Sequence, residues 1–293
     1  MALHPEAQEW VEAAEAETPV WTDGYDIDAA RATNRAAALA EPREDVAEVR
    51  DLDADGVPVR LYRPDGARPG VVVHLHGGGF VFHDVEVHDA ACRRLANRTR
   101  RSVLSVDYRR PPEHPFPAAP DDVDTVISWL DRETVALGLE GPAYVHGDSA
   151  GGNLALVAAL RHPGRFEGAV LIYPFLDPTA GFDSYRTAAD GFDAREAAWY
   201  WQQYAATPAD LDDPDLAPLR SDRLGTLPRT LVVTAEHDPL RDEGEVLARR
   251  LAEEGVAVTA TRYLGQVHGF WRHDAVFPAA GALMGQVAAF LEG

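Results

Sequence analysis

The amino-acid sequence predicts an α/β protein with a mostly parallel central sheet, flanking helices and an appended lid. From about residue 71 onwards, apolar runs of strand length alternate with helical patterns, which indicates parallel strands joined by helices. Asp55-Gly56 separates two earlier strand patterns and indicates a hairpin, so the sheet should begin with antiparallel strands. The stretch from about 177 to 220 is rich in Asp, Pro and Gly and lacks a strand pattern. We interpret this break as an insertion into one α/β domain.

The elements follow from these patterns in chain order. Two Ala- and Glu-rich helical patterns at about 4–17 and 26–40 precede the sheet. Strands are predicted at 46–52, 57–63, 71–75, 102–106, 143–146, 169–173, 231–235 and 256–263. Later helices are predicted at 120–131, 151–161, 197–204, 241–254 and 278–291, the third opened by an Asp193-x-x-Glu196 capping box. The predicted division is N-terminal cap helices at 1–45, a core at 46–176 and 221–293, and a cap insertion at 177–220.

The charge composition limits the classes of partner and mechanism. The net charge is −21, from 48 acidic and 27 basic residues, and every basic residue is Arg. This acidity argues against nucleic acid and anionic membranes as partners. The absence of Lys excludes Schiff-base and Ser-Lys mechanisms, because both need a lysine.

The sequence also predicts a soluble cytoplasmic protein. The N-terminus lacks a basic region followed by an apolar one, and no run approaches the roughly 18 apolar residues of a membrane span. The single cysteine, Cys92, excludes an internal disulfide, and its helical context predicts a buried structural thiol.

A candidate nucleophile follows the predicted strand at 143–146. Ser149 is the centre of Gly147-Asp148-Ser149-Ala150-Gly151, a Gly-x-Ser-x-Gly pattern that leads into a helix. A sharp turn from strand to helix crowds the flanking residues, so Gly147 and Gly151 must lack side chains. The turn would expose a strained serine beside the N-terminal N–H groups of the helix.

A serine nucleophile needs a base and an acid, and both are expected at the carboxyl ends of parallel strands. His268 follows the predicted strand at 256–263, and Asp238 follows the strand at 231–235. We prefer His268 to His237 and His273, which lie beside the acid and farther from the strand end, respectively. Asp238 is preferred to Glu236 by a modest margin, since Asp-Pro-Leu suits a tight loop before the next helix.

Three consecutive glycines follow the predicted strand at 71–75. His76-Gly77-Gly78-Gly79 would let the backbone approach a substrate closely and direct amide N–H groups toward one point. An oxyanion hole requires such an arrangement. We therefore interpret this segment as the second part of the same catalytic site.

These motifs together resemble those of the hormone-sensitive-lipase-like family of α/β-hydrolase carboxylesterases. The resemblance rests on four segments, which occur in this order: His76-Gly77-Gly78-Gly79, Gly147-Asp148-Ser149-Ala150-Gly151-Gly152, Asp238-Pro239-Leu240-Arg241-Asp242-Glu243 and His268-Gly269-Phe270. The loop from Tyr108 to Ala119 also resembles that family, except that Arg110 and Pro111 stand where the family usually has Leu and Ala.

The resemblance implies an α/β-hydrolase core capped by the N-terminal helices and the insertion. It also implies catalytic roles for Ser149, Asp238 and His268, and oxyanion donors at Gly78, Gly79 and Ala150, with Gly77 shaping the loop. The predicted function is hydrolysis of short-acyl soluble esters through an acyl-enzyme intermediate. An amide, carbamate or lactone hydrolase would use the same groups, and a non-catalytic ligand-binding receptor is the distant alternative.

Further predictions concern the substrate pocket and the partners. At least one of Trp199, Tyr200, Trp201 and Tyr204 on the insertion helix should line the pocket, and we single out Trp199, Trp201 and Tyr204. No cofactor is expected. His74 and His76 are spaced as some metal ligands are, with His83 and His88 nearby, but a metal site is not favoured. An exposed edge strand at 256–263 could pair two chains in a homodimer.

Overall fold

A computed structural model describes residues 2–292 of the chain. One sheet contains the strands β1 (Glu48–Ala54), β2 (Val57–Arg63), β3 (Arg68–Leu75), β4 (Arg101–Val106), β5 (Ala143–Asp148), β6 (Gly168–Ile172), β7 (Arg229–His237) and β8 (Val258–Val267). Their order across the sheet is β1-β2-β4-β3-β5-β6-β7-β8. The pairs β1–β2 and β2–β4 are antiparallel, and the remaining pairs are parallel. The predicted mostly parallel sheet with an antiparallel start is confirmed.

The turn between β1 and β2 has the backbone that its sequence predicts. Asp55 and Gly56 both adopt positive φ, at 54° and 96°, between the paired residues Ala54 and Val57. Two successive positive φ values match the right-handed twist of the flanking strands, and Asp-Gly tolerates them with little strain. This hairpin sets the antiparallel edge of the sheet.

Helices cover both faces of the sheet. They are α1 (Pro5–Glu15), α2 (Ile27–Ala40), α3 (Asp89–Thr99), α4 (Ala118–Glu133), α5 (Ala150–Arg161), α6 (Ser184–Thr187), α7 (Ala194–Tyr204), α8 (Arg241–Glu253) and α9 (Pro278–Glu292). Apolar residues of α4, α5, α7 and α8 form one buried layer, while those of α1, α3 and α9 form the other. Cys92 of α3 is buried in the second layer as a free thiol.

Strand β3 shows how the two layers are built. Val71, Val73 and Leu75 belong to the layer of α4 and α5, whereas Val72 belongs to the layer of α3 and α9. Successive side chains of a strand point to opposite faces, so a strand covered on both sides must be apolar throughout. The uninterrupted apolar runs in the sequence therefore correspond to central strands.

The last two strands are longer at their carboxyl ends than the sequence predicts. β7 ends at His237 instead of 235, and β8 ends at Val267 instead of 263. The pairing of β7 with β8 is irregular between Ala235 and His237. It resumes with the pair His237 and Val267. Polar residues at these positions obscure the strand pattern, although their backbones continue the pairing. As a result, Asp238 and His268 each follow a strand directly.

Strand β8 forms one edge of the sheet. Near its carboxyl end, the backbone N–H of His4 donates to the carbonyl oxygen of Gly265 at 3.0 Å, so the N-terminal segment covers part of this edge. Dimerisation through β8 stays a prediction. Within residues 2–292, no helix combines the length and apolar character needed to cross a membrane.

The segment between β6 and β7 contains α7 and several short helical turns. The Asp193 side chain accepts hydrogen bonds from the N–H groups of Arg195 and Glu196, at 2.8 and 2.9 Å, and so caps α7. The reciprocal half of the predicted capping box is not formed. The Glu196 carboxylate accepts instead from the Tyr200 hydroxyl at 3.0 Å, one helical turn along.

Helix α7 buries one face against the core. Ala197, Trp201 and Tyr204 are at most 2% exposed and share this face because they are three or four residues apart. The Trp201 ring lies 4.3 Å from that of Phe175, and the Tyr204 ring stacks on Phe80 at 3.8 Å. These aromatic contacts attach the insertion to the segments that follow β3 and β6.

We expect the Trp201→Ala substitution to lower the free energy of unfolding by about 3–5 kcal/mol, because it leaves a cavity in a fully buried aromatic cluster. The measurement is urea unfolding followed by far-UV circular dichroism. Trp199→Ala is the control, since Trp199 lies on the same helix and is only partly buried. Equal losses for the two variants would contradict this account of how α7 is attached.

Candidate active site

Ser149 lies in a sharp turn between β5 and α5. Its φ of 54° and ψ of −121° are unusual for a residue with a side chain, and such strain persists only where the surroundings enforce it. A Cβ on Gly147 would overlap the carbonyl oxygen of Gly151, as the Gly-x-Ser-x-Gly pattern predicts. A Cβ on Gly151 would instead overlap the carbonyl oxygen of Leu75, at the end of β3. The turn is therefore fitted tightly against its neighbouring strand.

The imidazole of His268 connects Ser149 to Asp238. His268 Nε2 lies 3.0 Å from Ser149 Oγ, and His268 Nδ1 lies 2.8 Å from Asp238 Oδ2. The other oxygen of the fully buried Asp238 carboxylate accepts from the backbone N–H of Leu240 at 2.8 Å. The three side chains thus form one continuous hydrogen-bonded chain, with each group following a different strand.

The competing acid and base candidates have other partners. Glu236 accepts from the backbone N–H of Gly265 at 2.7 Å. His237 Nδ1 lies 2.8 Å from Asp190, and His273 Nδ1 lies 3.7 Å from Glu41. The structure therefore brings Asp238 and His268, rather than these residues, to Ser149.

Opposing effects act on the pKa of His268. Burial lowers it, but the charge and hydrogen bond of Asp238 raise it, and the negative charges of Asp148 and Glu196 add to the rise. The net result is a pKa above the ordinary 6.5. Burial also raises the pKa of Asp148 to about 6 and that of Glu196 to about 7. The imidazole consequently lies among carboxyl groups that titrate close to neutrality.

The glycine loop after β3 is held from both sides. The backbone N–H of Gly77 donates to Asp148 Oδ1 at 3.1 Å, and the Tyr108 hydroxyl donates to the carbonyl oxygen of His76 at 2.7 Å. Gly78 and Gly79 have φ values of 107° and 59°, which side chains would strain. A Cβ on Gly77 would also collide with Asp148.

Three backbone N–H groups of this region are free to bind a ligand. Those of Gly78, Gly79 and Ala150 donate to no acceptor within residues 2–292. Gly78 and Gly79 belong to the glycine loop, and Ala150 is the first residue of α5. An N–H group in the first turn of a helix has no intrahelical partner, and the helix dipole makes this end attractive to negative charge.

The loop that contains Arg110 and Pro111 is tied to the N-terminal helices. Arg31 of α2 donates to the carbonyl oxygens of Val81 and Pro111 at 2.9 and 2.7 Å, and it pairs with Glu113 at 2.6 Å. Arg110 donates to the carbonyl oxygen of His83. Sequence reasoning missed Arg31, because nothing local distinguishes it from the other arginines.

Ser149 and His268 open into a cavity of about 790 Å³. Its walls come from the glycine loop, the N-terminal segment and α7. Residues that line it include Gly78, Gly79, Glu17, Tyr25, Phe82, Phe192, Glu196 and Tyr200. Both the N-terminal segment and the insertion thus contribute to the space around Ser149.

The predicted pocket residues need correction. Trp199, Trp201 and Tyr204 do not line this cavity, whereas Tyr200 does. Trp201 and Tyr204 are on the buried face of α7, and Trp199 stacks on Phe82 at 5.9 Å. A run of aromatic residues on a helix points in several directions, so only the docking of α7 decides which ring faces Ser149.

Three side chains that could hold a metal ion also meet beside the Ser149 turn. Single ligand atoms of His74, His88 and Asp148 lie within 4.8 Å of one another, and all three residues are buried. Within residues 2–292, these three side chains form a candidate set of metal ligands.

Comparison with known proteins supports the conclusions from the fold. Residues 72–272 match the family model described as the alpha/beta hydrolase fold. The carboxylic ester hydrolase LipN of Mycobacterium tuberculosis is 40% identical over 267 residues, which cover 84% of this chain and 70% of that protein. The ethyl acetate hydrolase of Pseudomonas putida is 36% identical over 240 residues, which cover 78% and 76%.

A solved structure agrees over almost the whole chain. The hyperthermophilic esterase from Pyrobaculum calidifontis superposes with a TM-score of 0.89 and 36% sequence identity, covering 99% of this chain and 98% of that one. The chain therefore belongs to the hormone-sensitive-lipase-like family of α/β-hydrolase carboxylesterases and is a carboxylic ester hydrolase.

Proposed function

We propose that this esterase hydrolyses short-acyl, water-soluble carboxylic esters, with Ser149 as nucleophile, His268 as base and Asp238 as acid. The observation that carries the proposal is the continuous hydrogen-bonded chain from Ser149 Oγ through His268 to Asp238 at the cavity. A serine hydroxyl becomes an effective nucleophile when a positioned base accepts its proton.

The first chemical step follows from the tautomer that Asp238 imposes. The Asp238 carboxylate accepts the Nδ1–H of His268, which leaves the Nε2 lone pair facing Ser149 Oγ. His268 takes the hydroxyl proton as Oγ attacks the ester carbonyl carbon, and Asp238 stabilises the imidazolium that forms. The protonated Nε2 then donates to the departing alkoxide, which leaves as the alcohol.

The negative charge of the tetrahedral intermediate needs hydrogen-bond donors. The unpaired N–H groups of Gly78, Gly79 and Ala150 supply them, and the hydrogen bond from Gly77 to Asp148 holds the loop in place beforehand. Water then attacks the acyl-enzyme, with His268 again accepting the proton. Release of the carboxylic acid restores the Ser149 hydroxyl.

The shape of the site and the protein surface support a small soluble ester. The cap lines the cavity with aromatic side chains such as Tyr25 and Tyr200, which suits an ester with apolar groups. The large apolar side chains exposed within residues 2–292 lie in separate elements: Leu39, Val49, Val135, Leu264 and Val276. Scattered apolar residues do not make a surface for adsorption to lipid. One relative is named for hydrolysis of ethyl acetate, a short-acyl ester.

We expect Ser149→Ala to lower kcat on p-nitrophenyl acetate by about 10⁶-fold, because it removes the nucleophile. Ser128→Ala, an exposed position on α4, is the control and should retain full activity. A fluorophosphonate probe should label the wild-type protein at Ser149, as mapped by mass spectrometry. Undiminished hydrolysis by folded Ser149→Ala protein would disprove the proposed mechanism.

Gly78→Ala should lower kcat by about 10²–10³-fold, the usual effect of losing one oxyanion donor. A Cβ at this position would lie 2.6 Å from His83 Cγ, and a φ of 107° disfavours alanine, so the loop must shift. Gly281→Ala is the control, because a Cβ there meets no atom within 4 Å. Steady-state kinetics should show the loss mainly in kcat. A loss confined to KM would contradict an oxyanion role.

The acid limb of the kcat/KM profile should shift when a nearby charge is removed. Protonated His268 cannot accept the serine proton, so activity falls as the pH drops through its raised pKa. Glu196→Gln removes a carboxylate that raises this pKa when it is ionised, and the pKa of Glu196 is itself about 7. The part of the limb in which Glu196 is ionised should therefore move to lower pH. Glu9→Gln, at an exposed position of α1, should leave it unchanged.

Asp148 and Glu196 also titrate in this pH range, with pKa values of about 6 and about 7. The shift between wild type and Glu196→Gln, rather than the limb itself, therefore identifies His268. An unchanged limb, or a shift to higher pH, would contradict the assignment of His268 as the base.

A further inference from the structure

Four histidines joined by hydrogen bonds take no part in the proposed ester hydrolysis, and we call them the histidine row: His146, His74, His88 and His83. His74 Nδ1 of β3 lies 2.9 Å from His146 Nδ1 of β5, because these residues are directly paired in the sheet. His74 Nε2 lies 3.2 Å from His88 Nδ1, at the start of α3. His88 Nε2 in turn lies 3.3 Å from His83 Nδ1. Four imidazoles are thus connected in one line.

Asp148 adds a carboxylate to the middle of this row. Its Oδ1 lies 3.7 Å from His88 Nδ1, and the ligand atoms of His74, His88 and Asp148 are all within 4.8 Å of one another. A tetrahedral first-row metal ion holds its nitrogen and oxygen ligands at about 2.0–2.2 Å, which places them about 3.4 Å apart. Two of the three separations, 3.2 and 3.7 Å, lie on either side of this value.

We propose that His74 Nε2, His88 Nδ1 and the Asp148 carboxylate bind a first-row divalent transition metal ion, for which Zn²⁺ and Co²⁺ are suitable probes. Two imidazoles and one carboxylate are the donors that such ions prefer, whereas Mg²⁺ and Ca²⁺ prefer oxygen ligands alone. His74 and His88 are 0% exposed, so their side chains are held in place by the surrounding core.

The outer hydrogen bonds match those of a metal-binding pair of histidines. A ligating imidazole donates its second ring N–H to an acceptor, which fixes the tautomer and the ring orientation. His74 would donate from Nδ1 to His146 Nδ1, and His88 would donate from Nε2 to His83 Nδ1. Both ligating lone pairs then point into the cluster, and all four imidazoles remain neutral.

The groups around the cluster orient its carboxylate and moderate its affinity for a cation. The Gly77 N–H donates to Asp148 Oδ1 at 3.1 Å, which orients the carboxylate. The guanidinium of the partly buried Arg272 is close enough that its positive charge lowers the pKa of His88, after burial itself. It opposes a dication, so we expect an exchangeable ion.

The cluster borders the catalytic cavity. Asp148 and His83 both belong to the cavity wall, while His74 and His146 lie deeper, on the sheet. Ser149 directly follows Asp148, so an ion at this carboxylate would lie next to the nucleophile turn. The site is nevertheless separate from the Ser149–His268–Asp238 chain, and its occupancy can be measured without an ester.

The test uses the full chain after treatment with a chelator and desalting. Equilibrium dialysis with Zn²⁺, followed by elemental analysis, should show one bound ion per chain. Co²⁺ should produce the visible absorption bands of a four- or five-coordinate site with nitrogen and oxygen ligands. Competition with a chelating dye then gives the affinity for each variant.

Matched leucine substitutions separate the ligand from its outer partner. His74→Leu should lower the affinity by more than about 100-fold, whereas His146→Leu should lower it by about 10–100-fold through the lost outer hydrogen bond. His162→Asn, at a partly exposed histidine bonded to Asp124, should bind as wild type does. Asp148→Asn provides a second ligand variant should His74→Leu fail to fold, as judged by circular dichroism.

Two results would overturn the proposal. One is wild-type protein that takes up no stoichiometric Zn²⁺ and shows only the pink octahedral spectrum of aqueous Co²⁺. The other is unchanged affinity in folded His74→Leu or Asp148→Asn protein, which would place any bound ion at another group. Repeating the titration with Ser149→Ala protein keeps both results independent of ester hydrolysis.

Discussion

The site depends on a steric constraint, the close approach of the Ser149 turn to the end of β3. Gly151 lies against the carbonyl oxygen of Leu75, Gly147 lies against Gly151, and Gly77 lies against Asp148. A side chain at any of these glycines would separate the turn from the glycine loop. Because both segments are fitted together without side chains, the strained φ of Ser149 is enforced by its surroundings. The same contact places the free N–H groups of the loop near the start of α5.

Asp148 connects three parts of the molecule through one buried carboxylate. It holds the glycine loop through the Gly77 N–H, raises the pKa of His268 by its charge, and faces His88 in the histidine row. Burial raises its own pKa to about 6, so protonation of this group would change all three interactions within a narrow pH range. Asp148, which lies between Gly147 and Ser149 in the sequence, therefore does more than separate the glycine from the nucleophile.

The cap is attached by contacts that also shape the cavity. Arg31 joins α2 to the Pro111 loop and to the segment after the glycine loop, while the buried face of α7 packs on Phe80 and Phe175. Since α7 is docked through Trp201, the flank of its buried face presents Tyr200 to the cavity. Tyr200 lies so close to Gly79 that a side chain there would collide with the ring. The cap and the glycine loop therefore fit together sterically, because the ring of Tyr200 occupies the space that a side chain at Gly79 would need.

The sequence by itself determined the order of the elements and the three positions that follow strands. Ser149, Asp238 and His268 could be selected because the carboxyl ends of parallel strands meet at one edge of a sheet, and the structure places them within hydrogen-bonding distance. Only the tertiary structure decided which aromatic residue faces the cavity, Tyr200 instead of Trp201, because the docking of a helix selects its inner face. It also assembled the histidine row, since the pairing register of β3 and β5 and the position of α3 are long-range properties that no local pattern encodes.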